Sequence, residues 1–146
     1  MTYITISEKQ TLKLGEKIAC QLKGGEVLAL IGELGTGKTV ITKGIARFLG
    51  IKKYITSPTF VLMKLYKIQN SKLKIKNFLH IDAYRLNSGR DLLDIGLEDW
   101  FNRPDTVIVI EWAERVKDIL PKKIIKVNLK IGKKNNERII KVEFRK

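Results

Sequence analysis

Residues 27–39 read Val-Leu-Ala-Leu-Ile-Gly-Glu-Leu-Gly-Thr-Gly-Lys-Thr, and this stretch decides the fold. Its five apolar residues, 27–31, run without alternation at strand length, the pattern of a strand buried on both faces. The run breaks at once into Gly32-Glu33-Leu34-Gly35-Thr36-Gly37-Lys38-Thr39, which fits G-x-x-x-x-G-K-[ST], the Walker A loop. Gly35 and Gly37 let the backbone take positive φ and approach a phosphate closely, so that successive N–H groups point at it. Lys38 reaches the β- and γ-phosphates, and the Thr39 hydroxyl can ligate Mg²⁺. The helix expected from Lys38 to about Leu49, with Ile41, Ile45, Phe48 and Leu49 on one side, adds its positive dipole end. Strand, loop and helix in this order are the context the motif requires. A nucleoside triphosphate is the expected ligand, with Leu34, Gly35, Thr36, Gly37, Lys38 and Thr39 at its phosphates.

A phosphate loop also needs a second carboxylate for the metal, usually at the end of another buried strand. Val107-Ile108-Val109-Ile110-Glu111 supplies one, ending in Glu rather than Asp. A strand that merely ends in a charge is the plainer reading; beside the loop, Glu111 is expected to complete the metal site with Thr39. Asp82 is the other candidate carboxylate, in His80-Ile81-Asp82-Ala83-Tyr84-Arg85. Alternation puts His80, Asp82 and Tyr84 on one face, where Asp82 could orient the attacking water or hold the metal's water shell. A lone His80 reads as a packed, hydrogen-bonded histidine, since no partner has metal-site spacing. Arg85 admits two readings, a cis arginine finger or a surface ion pair. The catalytic set is thus Lys38, Asp82 and Glu111. No Asn-Lys-x-Asp element marks guanine, so ATP is the default nucleotide.

Outward from the loop, the rest reads as an α/β chain. Tyr3 to Ile6 alternates like a short strand. Ser7 is a plausible N-cap for a helix with Leu12, Ile18, Ala19 and Leu22 on one face. Strands are expected over 60–68 and 73–80 around a polar turn at Gln69-Asn70-Ser71. Short helical pieces follow within 87–101, then a strand at 106–110 and a short helix at 113–120 closed by Pro121. The tail reads as a hairpin, 124–131 and 138–144. The expectation is one domain over 1–146, the basic hairpin of about 122–146 included. Its fold is a P-loop NTPase-type three-layer α/β domain with a mixed, partly parallel sheet flanked by helices.

Composition sets the outer bounds. The 146 residues, 44% hydrophobic and 30% charged, exclude a disordered or collagenous chain. Cys20, the single cysteine, cannot form an internal disulfide. No apolar run approaches the length of a membrane span and no signal peptide pattern opens the chain, so a cytoplasmic location without membrane partners is expected. The net charge of +14 suggests an anionic partner. Lys supplies most of it, and compositional drift towards Lys is the competing explanation. Basic residues concentrate at 64–76 and 122–146, which motivates two alternatives: a nucleic-acid-binding module, or, from the phosphate loop alone, a small-molecule P-loop kinase.

Taken together, GELGTGKT at 32–39, SPTF at 57–60, HIDAYRL at 80–86, GLED at 96–99 and IEWAER at 110–115 resemble the TsaE (YjeE) family. Order and spacing agree from about Ser7 to Pro121. The resemblance implies a weak, Mg²⁺-dependent ATPase required for threonylcarbamoyladenosine modification of tRNAs that read codons starting with A. It would act with TsaD and TsaB, resetting their complex between turnovers, and meet tRNA through that complex. Carried over by position, Lys38 and Thr39 bind phosphate and Mg²⁺, Glu111 completes the metal site, and Asp82 assists hydrolysis. Thr59 falls in a loop that could sense the γ-phosphate, and Ser7 and Thr11 fall near the base. Tyr84 and Trp112 either line the site or a partner surface, or pack in the core. Glu33 departs from the Asp the family often has there.

Overall fold

The apolar run becomes strand β2 (Val27–Ile31) and the lysine after the glycines opens helix α2 (Lys38–Phe48). The computed structural model describes residues 1–52, 55, 62–70 and 72–145. Around this unit lie β1 (Thr2–Thr5), α1 (Glu8–Ala19), β3 (Met63–Lys67), β4 (Asn77–Asp82), α3 (Arg90–Asp94), β5 (Thr106–Glu111), β6 (Ile124–Ile131) and β7 (Arg138–Arg145). Two 3₁₀ segments, Leu97–Trp100 and Ala113–Ile119, complete the described elements.

The strands form one seven-stranded sheet in the order β1-β7-β6-β2-β5-β4-β3. β2 runs parallel to β5 and β6, and β4 parallel to β5; the β3–β4, β6–β7 and β1–β7 pairs are antiparallel. The continuous apolar strands are the central ones. In β5 every residue is buried, as a parallel strand covered on both faces requires. On one face, Leu28, Leu30, Val107, Val109 and Val127 pack under α1 and α2 through Leu14, Ile18, Ile41 and Ile45. On the other, Ala29, Ile81, Ile108 and Ile110 meet Leu92, Leu97, Ala113 and Val116 from α3 and the 3₁₀ segments. This is the three-layer mixed α/β architecture expected from the sequence.

Helices α1 and α2 cross at a pair of glycines. A Cβ on Gly15 would lie 2.5 Å from Ile41 O, and one on Gly44 would lie 2.2 Å from Leu12 O. Only glycine at both positions allows so close an approach.

Several boundaries differ from expectation, each for a local reason. Residues 73–76 are not strand, because Lys76 N–H and Asn77 N–H both donate to Asp105 O and so begin the ladder later. The first hairpin strand starts at Met63, and the 60–61 part of that expectation lies outside the described residues. Phe48 is 41% exposed rather than core, while Leu14, absent from the expected face, is buried. The stretch after Trp112 is 3₁₀ and kinked at Val116. The C-terminal hairpin joins the same sheet through β6, beside β2.

Candidate nucleotide site

The carboxyl ends of β2, β4, β5 and β6 reach the same edge of the sheet, and the chain leaves each through a loop that faces one pocket. Such an edge is where α/β sheets hold ligands. The pocket measures about 450 Å³.

Its floor is the loop after β2. Gly35 (φ +80°) and Gly37 (φ +103°) lie in the left-handed region, so the positive φ expected of them is present. Gly32 is fixed by space: a Cβ there would lie 2.6 Å from Leu129 O and from Thr36 Oγ1. Thr36 Oγ1 donates to Glu33 O at 2.7 Å and is buried. Thr36 therefore braces the loop from behind, and it is the one loop residue assigned to the ligand that does not line the pocket. Leu34, 77% exposed, stands at the crest.

Lys38 is 5% exposed, and its Nζ donates to Gly32 O at 2.5 Å and Glu33 O at 2.8 Å. The same Nζ lies 4.0 Å from the centroid of the Trp112 ring, within cation–π range. Burial lowers the pKa of this amine below 10.5; Glu111, Glu114, Asp82 and Glu33 oppose that shift by favouring the cation.

Glu111, 2% exposed, ends β5. Its Oε1 accepts from Thr39 Oγ1 at 2.8 Å, and its Oε2 meets Thr42 Oγ1 at 3.2 Å and His80 Nε2. His80 is thus the packed, hydrogen-bonded histidine expected. Asp82 stands beside Glu111 in register across the β4–β5 pair. β4 ends there, and Tyr84 N–H donates to Asp82 Oδ1 at 3.0 Å in a tight side-chain turn. Tyr84 and Trp112 both line the pocket and pack ring to ring at 4.8 Å. Trp112 holds φ 59°, ψ 40°, a conformation rare outside glycine and typical of constrained sites. A second cation, Arg115, lies 5.5 Å from each ring centroid of this pair; Arg85 is exposed and absent from the pocket.

The opposite wall is the start of α1. Ser7 caps the helix by accepting from Gln10 N–H at 3.1 Å, and Gln10 Oε1 accepts from Ile6 N–H at 2.9 Å, a reciprocal cap. Thr11 Oγ1 bonds Thr5 Oγ1 at 2.7 Å. Ser7 and Thr11 line the pocket, as do Leu34, Gly35, Gly37, Lys38, Thr39, Asp82 and Glu111. Thr59 lies outside the described residues.

The sequence reading missed Glu8, Val40, Asn136 and Arg138, which also line the pocket. Asn136 and Arg138 come from the tip of the β6–β7 hairpin. Asn136 Nδ2 donates to Ile6 O at 3.1 Å, and Arg138 Nη1 donates to Asn135 O and, at 3.0 Å, to Glu137 O. An arginine after a polar turn was a visible signal, but without the strand order nothing connected it to a loop a hundred residues earlier.

Chemically, the pocket offers, around the glycine loop, backbone N–H groups, the desolvated Lys38 ammonium, the Thr39 hydroxyl and the Asp82 and Glu111 carboxylates. No group of three or more His, Cys, Asp or Glu suited to a metal occurs among the described residues. The donor set instead fits Mg²⁺, which binds through one or two carboxylates with phosphates and water. Elsewhere, three lysines of the basic tract 64–76 have internal contacts: Lys67 with Asn77, Lys76 with Leu73 O, and Lys64 over the Tyr66 ring. Among the described residues no helix is long and apolar enough to cross a membrane.

Residues 5–140 match the family model of threonylcarbamoyl adenosine biosynthesis protein TsaE. The tRNA threonylcarbamoyladenosine biosynthesis protein TsaE of Treponema pallidum is 37% identical over 139 residues, 95% of this chain and 98% of that protein. Its namesake in Rickettsia typhi is 37% identical over 94% of this chain and 90% of the relative. The crystal structure of Bacillus subtilis YdiB superposes with a TM-score of 0.82 at 28% identity, covering 100% of this chain and 86% of that one. With a family match over most of its length, relatives above 30% identity and a shared fold, the chain belongs to the TsaE family of threonylcarbamoyl adenosine biosynthesis proteins.

Proposed function

We propose that the protein binds ATP with Mg²⁺ in this pocket and hydrolyses it slowly, in support of tRNA threonylcarbamoyladenosine formation by TsaD and TsaB. The observation that carries the reading is the 2.8 Å hydrogen bond from Thr39 to Glu111. It joins the first turn after the glycine loop to the end of a parallel strand 72 residues away, the pairing a Mg²⁺–nucleotide site needs.

In this reading the N–H groups around Gly35 and Gly37 and the start of α2 bind phosphate oxygens. Lys38 exchanges its loop carbonyls for phosphate. Thr39 and Glu111 hold the metal, which when bound neutralises phosphate charge and polarises the transferred group. Asp82, with Oδ1 fixed by Tyr84 N–H, presents its other oxygen to a water and orients it. The start of α1, through Ser7 and Thr11, and the hairpin tip, through Asn136 and Arg138, close the side away from Glu111 and take the nucleoside.

Two features support slow turnover alone: Lys38 is engaged by its own loop, and Arg85, one of whose two readings was a cis arginine finger, lies outside the pocket. The decisive measurement is ATP hydrolysis with and without Mg²⁺, and with and without TsaD, TsaB and tRNA. Saturable ATP binding, weak basal hydrolysis and stimulation by the partners are expected. Binding without any stimulation would leave the nucleotide site standing and remove the partner role. Transfer of phosphate to a metabolite would move the protein to the kinases.

A further inference from the structure

We propose that His80 is a positioning residue: its imidazole donates Nε2–H to Glu111 and thereby fixes the carboxylate that pairs with Thr39. The inference deepens the proposed Mg²⁺–nucleotide reading and rests on it.

His80 is the chain's single histidine, fully buried on β4. Its Nε2 meets Glu111 Oε2, while its Nδ1 is buried without a hydrogen-bond partner among the described residues. That asymmetry assigns the proton. A proton on Nδ1 would be buried with nothing to accept it, whereas a proton on Nε2 faces the carboxylate and leaves Nδ1 only a bare lone pair, the smaller cost. The ring stacks on Phe78, with centroids 6.5 Å apart and planes 18° apart, so its direction is set by packing.

Thr42 cannot do the same work alone. Its single hydroxyl proton lies between Lys38 O at 3.0 Å and Glu111 Oε2 at 3.2 Å, and it serves one acceptor at a time. His80 Nε2–H has no competing acceptor among the described residues. With Thr39 holding Oε1 and His80 holding Oε2, the carboxylate cannot turn about its soft terminal torsion. Hydrogen bonds behind a metal-holding group commonly contribute about 10–100-fold in metal affinity.

Two measurements test this on the full chain. First, ¹⁵N-histidine NMR of the nucleotide-free protein reads one imidazole; a proton on Nε2 is expected, with its resonance displaced in Glu111→Gln. Second, Mg²⁺ is titrated against a fluorescent ADP analogue. His80→Phe keeps a stacked ring without a donor and should weaken Mg²⁺ about 10–100-fold, leaving nucleotide affinity in EDTA unchanged. His80→Gln, which restores an amide donor, should recover most of the loss. In a Glu111→Ala background His80→Phe should add nothing.

A spectrum in which Nε2 carries no proton overturns the proposal. So does His80→Phe with wild-type Mg²⁺ affinity, or His80→Gln as weak as His80→Phe. If His80→Phe does not fold, the wild-type spectrum decides. A wild-type protein whose nucleotide binding ignores Mg²⁺ removes the site reading and this inference together; one that needs Mg²⁺ equally with and without His80 removes this inference only.

Discussion

The Lys38 ammonium faces the Trp112 indole at 4.0 Å from the ring centroid, while its hydrogen bonds run back to Gly32 O and Glu33 O. An anion entering the loop must draw the cation off both the carbonyls and the ring, so the indole reports the event. With Trp112 as sole tryptophan in a Trp100→Phe variant, ATP should change the intrinsic fluorescence saturably. The same variant carrying Lys38→Ala should show no response at those concentrations. A response that survives loss of Lys38 would place the nucleotide elsewhere.

The lowered pKa of Lys38 gives stability a definite slope. The unfolded chain keeps this proton up to about 10.5, whereas burial makes the folded chain release it earlier. Between those two values the unfolded state binds more protons, so stability rises with pH through that window. Thermal melts of wild type and Lys38→Met, compared from about pH 8 to about pH 10, should therefore diverge in favour of wild type. Nucleotide affinity should move the other way, because phosphate binds the ammonium. A pH-independent difference in melting temperature would mean that the amine titrates as it does in water.

Gly44→Ala tests the helix crossing. Helix propensity favours alanine by about 1 kcal/mol, but the new Cβ would lie 2.2 Å from Leu12 O and 2.9 Å from Gly15 Cα. Both are backbone atoms that cannot step aside without shifting a helix. A net loss of about 1–3 kcal/mol is expected in urea unfolding. Unchanged or raised stability would show that the helices slide apart freely.

Arg138→Ala tests the hairpin tip. The guanidinium is anchored by Asn135 O and Glu137 O and lines the pocket. Its removal should weaken ATP about tenfold by calorimetry, about 1.4 kcal/mol, with the melting temperature nearly unchanged. The loss should shrink as salt rises. A salt-independent deficit accompanied by a lower melting temperature would mark the residue as merely structural.

How much of this was legible beforehand divides along range in sequence. Residues 27–39 carried the strand, loop and helix within thirteen positions, because buried-strand and phosphate-loop physics act locally. Glu111 and Asp82 were legible as carboxylates ending apolar runs, yet their adjacency depends on β4 and β5 pairing in parallel, which no local pattern encodes. The partnership of His80 with Glu111 was illegible for the same reason. Arg138 reaches the pocket because β6 inserts beside β2, a choice made by the whole sheet. The late start of β4 followed from Asp105 O accepting two N–H groups, a contact from well beyond the strand it trims.

The strand order also implies an order of manufacture. Among the described residues β1 has β7 as its only strand neighbour, and Asn136 fastens the hairpin tip to Ile6, one residue before the helix cap that lines the pocket. A chain emerging from the ribosome therefore carries its glycine loop early, but β1 has no strand to zip against until residues 138–145 are made. One wall of the pocket waits on that pairing. Nascent or clipped chains that stop short of residue 138 hold the glycine loop without a finished mouth to its pocket.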